Sequence, residues 1–189
     1  MVVVVAASLT NFGVNGIQYA IQLHLVSVGI STTLIGLISA GISLGMLVGS
    51  AFAGKFADNL PAGMTVCAAF VFMCACAVPM TSTDDYRVIL VADSLMGLPF
   101  PIINALLLGF VFAKSPQAMQ GRITVTLTVP AQTLSSFCGA AAGTLLPVLG
   151  FPRTVLVFSL TILASTLIVA CCRPIRRIPR ADRWDETRL

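Results

Sequence analysis

The sequence predicts an all-α polytopic membrane protein of six transmembrane helices with both termini cytoplasmic, on three observations. Of 189 residues, 57% are hydrophobic and only 10% charged, whereas soluble domains carry roughly 25% charged residues. Turn residues and charges divide the chain into six apolar stretches, each near the roughly 20 residues that cross about 30 Å of hydrocarbon. Of the eleven Lys and Arg, nine fall on one side of such an arrangement.

In order, the expected spans cover residues 2–28, 32–56, 64–80, 87–113, 122–149 and 152–172. They form one domain over 1–172, followed by a basic tail over 173–189 that is expected to be disordered. The opening run Val2 to Ala7 lacks a basic segment before it and continues too far for a signal peptide. Lys55 closes the second span, and Pro61 and Gly63 precede the third. Asp84 and Asp85 precede the fourth, Lys114 to Arg122 lead into the fifth, and Gly150 separates the fifth from the sixth.

The tail sets the direction. Arg173, Arg176, Arg177, Arg180, Arg183 and Arg188 follow the last span, and an excess of Lys and Arg marks a cytoplasmic loop or end. Lys55, Lys114 and Arg122 fall on the same side, leaving Arg87 and Arg153 outside. Six spans return the chain to its starting side, so the N-terminus is expected inside as well, in a multi-pass protein of the cell membrane. The lipid bilayer is thus its first partner, with Arg176, Arg177 and Arg180 at anionic headgroups.

Composition excludes other classes. The net charge of +4 comes from residues at membrane edges without interleaved aromatics, which argues against nucleic acid as a partner. Cys67, Cys74, Cys76, Cys138, Cys171 and Cys172 lie in apolar stretches and read as small packing residues. No cofactor or metal is expected. Gly41-Ile42-Ser43-Leu44-Gly45 matches the nucleophile pattern of serine hydrolases, but Ser43 is near mid-span and the one histidine, His24, is near the outer end. An intramembrane serine hydrolase is therefore a distant reading, and the chain is not expected to be an enzyme.

Polar groups within hydrocarbon face other helices or a wet cavity. At 100° per residue, Ser8, Asn11, Asn15, Gln18 and Gln22 lie within an arc of about 80° on the first span. Asn11, Asn15, Gln18 and Gln22 are therefore candidate substrate-cavity residues, while His24 lies nearly opposite. Asp93 is the one acidic residue well inside a span and is the candidate for proton coupling. It shares a face with Gly97 and Asn104, and Pro99 and Pro101 are expected to kink the helix toward that face. Asn104 joins the cavity set.

On the fifth span Thr128, Gln132, Ser135, Ser136, Gly139 and Gly143 occupy one side, with a bend expected at Pro130. Gln132 is the candidate for substrate contact, and Gly139 and Gly143 for helix packing. Gly41, Gly45 and Gly49 form a small-xxx-small row on the second span. Gly36, Ser39, Ser43, Ser50 and Gly54 lie opposite, which predicts a helix wedged between two neighbours.

The loop Gly54-Lys55-Phe56-Ala57-Asp58-Asn59-Leu60-Pro61-Ala62-Gly63 resembles the signature G-x-x-x-D-[RK]-x-G-[RK]-[RK] of the major facilitator superfamily. Gly54 and Asp58 match, whereas Asn59, Pro61, Ala62 and Gly63 replace the basic and glycine positions, as in a degraded second copy. Ser115-Pro116-Gln117-Ala118-Met119-Gln120-Gly121-Arg122, followed by a Thr-rich span, resembles the tenth-to-eleventh-helix region of the multidrug and siderophore exporter branch.

The resemblance implies that the six spans are helices seven to twelve of a twelve-helix transporter, a 3+3 inverted-repeat half. It implies that the first and fourth spans line a central cavity near the bilayer midplane, and that the halves alternate access by rocking. The expected function is transport of a small-molecule substrate, as proton-coupled efflux. The chain would then be a fragment or a half-transporter that pairs with an N-terminal six-helix half or forms a homodimer. The alternative is a non-transporting membrane module that pairs with another polytopic protein through its glycine faces.

Overall fold

The computed structural model describes residues 2–176, 178–180 and 184, leaving aside the side chains of Phe56, Ala57, Asp58 and Ala118. Regular structure among these residues is helical: α1 (Val2–Ser27), α2 (Thr32–Asn59), α3 (Ala62–Ala77), α4 (Tyr86–Gly97), α5 (Pro99–Ala113), α6 (Gln117–Ser135), α7 (Cys138–Leu149), α8 (Phe151–Cys171) and the single turn α9 (Arg173–Arg176). A 3-10 turn, Pro79–Thr81, extends α3. Two connections need a left-handed backbone, which glycine adopts without a Cβ penalty. Gly29 after α1 and Gly150 before α8 have φ of 76° and 77°.

Five units among the described residues are long and apolar enough to cross a membrane: Val2–Ser27, Thr32–Lys55, Ala62–Thr81, Tyr86–Ala113 and Phe151–Cys171. The fourth comprises α4 and α5, joined through Leu98, whose N–H donates to the Leu95 carbonyl in a tightened turn. Pro99 follows at the first position of α5, where a missing N–H costs little. Asp85 starts the unit by accepting the Arg87 N–H at 2.7 Å, a side-chain N-cap.

The stretch expected as one span over 122–149 departs from that reading. It begins earlier, at Gln117, and is two helices that meet at Ser136 and Phe137. Pro130, where a bend is expected, lies inside α6, which runs on to Ser135. The hydroxyls of this polar segment find their partners inside the helix. Thr124, Thr126, Thr128, Thr133 and Ser135 each donate to the carbonyl four residues earlier, an internal partner that favours local bending.

Packing brings the beginning and end of the chain together. α1 lies against α6, α7 and α8, α2 against α4 and α5, and α3 against α4, α5 and α8. Close approach of α1 to α8 depends on Gly16, where a Cβ would enter the ring of the fully buried Phe158. A buried polar clasp lies nearby. Thr10 Oγ1 donates to Ser165 Oγ at 2.8 Å, and Ser165 Oγ donates to the Ala6 carbonyl at 2.8 Å.

The glycine row of α2 lies against α4. A Cβ on Gly41 would overlap the Ser94 hydroxyl, one on Gly45 the Ser94 carbonyl oxygen, and one on Gly49 the Leu98 carbonyl oxygen. The opposite row is different: nothing among the described residues lies within 4 Å of a Cβ on Gly36 or Gly54. Among the described residues α2 is therefore packed on one side, not wedged between two neighbours.

The tail also differs from its expected disorder where it is described. Ile175 and Ile178 are buried, and the carbonyls of Ile178 and Pro179 accept the N–H groups of Gly63 and Ala62 at 3.1 and 3.4 Å. These are first-turn donors of α3, which no preceding helical carbonyl satisfies. Trp184 Nε1 donates to the Pro179 carbonyl at 3.1 Å, and its ring meets Phe110 edge-on at 5.7 Å. Arg177, Arg183 and Arg188, which contributed to the orientation, lie outside the described residues.

Candidate functional site

Three of the expected cavity residues come together. Asn11, Asn15 and Gln132 line an open polar recess of about 370 Å³ between α1 and α6, with Tyr19, Ala131, Ser135 and Ser136 completing it. The helical period of α1 sets Asn11 and Asn15 one above the other, and Asn15 Nδ2 donates to the Asn11 carbonyl at 2.8 Å. α6 supplies the facing amide and hydroxyls. Ser135 and Ser136 bond back to Ala131 and Gln132, whereas Asn15 and Gln132 are exposed. No charged side chain is among the described residues that line the recess.

The rest of the set is distributed elsewhere. Asn104 faces a second cavity, about 130 Å³, which Asn11 also borders among apolar residues that include Phe70, Phe100, Leu127 and Ile175. Asn11 thus stands between the polar recess and the apolar cavity. Gln22 is exposed and lines neither. Gln18 is not a recess residue, because its amide turns to α4 and donates to Asp93 Oδ1.

Asp93 is fully buried, and its Oδ2 has no hydrogen-bond partner among the described residues. Among the described residues its one side-chain partner is the amide of Gln18. The pair ties α1 to α4 without a counter-charge. A buried acceptor left unmade is costly, so Oδ2 is the atom at which a proton or a bound donor has the most to change.

Other candidates occupy different surroundings. Gly139 is 3.7 Å, measured from a Cβ built on it, from the Tyr19 ring, an ordinary contact, and nothing among the described residues lies within 4 Å of a Cβ on Gly143. Gly143 therefore has no packing neighbour among the described residues. Gly54 is similarly open, and the Asp58 side chain lies outside the described residues. Ser43 Oγ donates to the Ser39 carbonyl at 2.8 Å, while the His24 ring stacks on Phe151 at 4.5 Å. Those two groups do not form a nucleophile and base.

Sequence reasoning missed Tyr19 in the recess and Gln18 as the partner of Asp93. Tyr19 adjoins the polar arc of α1 but is aromatic, so a count of amides passes over it. The Gln18 pairing had one signal in the sequence: in an antiparallel arrangement it lies about as far from the end of α1 as Asp93 lies from the start of α4.

A family model described as Major Facilitator Superfamily matches residues 3–188. In a comparison with curated proteins, no match to the chain is found.

Proposed function

Because the chain belongs to the major facilitator superfamily, we propose that it forms one six-helix half of a proton-coupled exporter, with α6 and α7 together making the fifth crossing. Transport of a small molecule across a membrane is the general activity of the family. In the proposed half the polar recess faces a companion six-helix body, supplied by an N-terminal half or by a second copy. Both termini are cytoplasmic, in the cell membrane, and the two bodies rock about a central site.

The observation that carries this reading is the open recess lined by Asn11, Asn15 and Gln132. Amides and hydroxyls that are exposed along two membrane helices need water, substrate or a partner. Absence of charge from the lining suits neutral or amphipathic compounds. Asp93 supplies the coupling: a proton taken up on Oδ2 discharges the side chain, changes what the Gln18 amide faces, and so biases the contact between α1 and α4. An intramembrane ionisable group is by default a functional one.

The test is transport by the complete assembly in proteoliposomes with an imposed pH gradient. Gradient-driven flux in the native protein, lost in Asp93→Asn while the protein remains folded, supports the coupling role. Unchanged gradient dependence in that variant rules out Asp93. The second reading, a non-transporting module that pairs with another polytopic protein, is favoured by the open glycines Gly36, Gly54 and Gly143. Co-purification of such a partner without flux would select it.

A further inference from the structure

A recess of about 530 Å³ lies where α3 begins and α8 ends, away from the polar site, and is lined by Met64, Cys67, Ala170, Arg173 and Arg176. Two features make it a built pocket. The arginines are three apart on the α9 turn and so neighbour each other on one face. That turn is also held in place. Ile175 beneath it is 6% exposed and Ile178 is 8% exposed, and a Cβ on Gly63 would overlap the Ile175 carbonyl oxygen. The hydrogen bonds from Ala62 and Gly63 to the strand of tail beyond α9 complete the anchor.

We propose that this recess binds one anionic phospholipid, with its phosphate against Arg173 and Arg176 and an acyl chain along Met64, Cys67 and Ala170. The charges fit. Guanidinium groups present planar donor forks that match phosphate oxygens, both arginines are exposed, and no carboxylate is among the described residues that line the recess. The position fits too. The cations stand just beyond the last turn of a membrane-crossing helix, at headgroup depth, while the other three lining residues are apolar and belong to α3 and α8. A soluble phosphate would use the arginines and leave that apolar wall in water, whereas a lipid covers it.

The consequence is mechanical. A lipid seated there bridges α3, α8 and the anchored tail, adding to the buried Ile175 and Ile178 and the backbone hydrogen bonds that join them at this end of the bundle. This site differs from general attraction of a basic tail to a charged surface, because it needs two particular arginines and the space between them and α3.

Native mass spectrometry of the full chain in detergent, with added phosphatidylglycerol or phosphatidylcholine, tests it. The native protein should retain one phosphatidylglycerol in preference to phosphatidylcholine. Each of Arg173→Gln and Arg176→Gln should weaken retention about fivefold, and both together about 25-fold. Cys67→Trp, which keeps both charges and fills the recess, should also lose the lipid, and inorganic phosphate at equal concentration should not displace it. Equal retention of the two lipids, retention unaffected by the double substitution or by Cys67→Trp, or displacement by phosphate would overturn the proposal.

Discussion

Gln18 on α1 donates its amide to one carboxylate oxygen of Asp93 on α4, and the other oxygen of that buried carboxylate, Oδ2, has no partner among the described residues. The pair is energetically asymmetric. Removing Gln18 alone takes from Oδ1 its donor and leaves a buried carboxylate with no side-chain donor among the described residues, whereas removing both partners leaves no polar group behind. Gln18→Leu should therefore destabilise the protein by about 1 kcal/mol, and Gln18→Leu with Asp93→Leu by less than the sum of the single changes. Thermal unfolding in detergent checks this, and strict additivity would show that the two side chains are not coupled.

Helix approach at the α2 and α4 contact leaves no room for a side chain on Gly45, whose Cβ would overlap the Ser94 carbonyl oxygen. Backbone cannot move aside as a flexible side chain can. Gly45→Val should destabilise by about 1–3 kcal/mol or more, whereas Gly36→Val, which faces open space, should stay within about 0.5 kcal/mol. Melting temperatures of the two variants should separate clearly. Similar losses in both would contradict the one-sided packing of α2.

Phe158 fills the space left by Gly16 and tilts against Phe12 at 5.6 Å between ring centroids. Both glycine and ring are needed for α1 to meet α8. Phe158→Ala should cost about 3–5 kcal/mol, measurable as a lower unfolding midpoint, and a second substitution, Gly16→Ala, should recover part of that loss by filling the gap. Further destabilisation by Gly16→Ala in the Phe158→Ala background would show that the space is occupied by something else.

Much of this arrangement was legible in periodicity. A single arc on α1 marked Asn11 and Asn15, a row at four-residue spacing marked Gly41, Gly45 and Gly49, and Asp93 stood out as an acid in an apolar run. What stayed hidden depends on which helices meet. Nothing local says that Gln18 turns away from its own arc to Asp93, or that the tail carbonyls of Ile178 and Pro179 satisfy α3. The boundary at Ser136 and Phe137 was hidden for a related reason: no proline or glycine stands at it, whereas Pro130, the visible breaker, lies inside α6. Gly143 shares a face with Gly139, yet the neighbour it would need is not among the described residues.

The central claim is that Asn15 and Gln132 line a water-filled pathway instead of facing lipid. Labelling measures this without knowing the substrate. Asn15→Cys, Gln132→Cys and Leu160→Cys would each be placed in a background lacking the native cysteines, reconstituted in the complete assembly, and exposed to a membrane-impermeant maleimide. Leu160 is the reference because it is exposed with Leu156, Leu163 and Leu167 on one apolar face of α8. The account predicts labelling of Asn15→Cys and Gln132→Cys that substrate or gradient alters, with Leu160→Cys protected. Protection of all three to the same degree would contradict it.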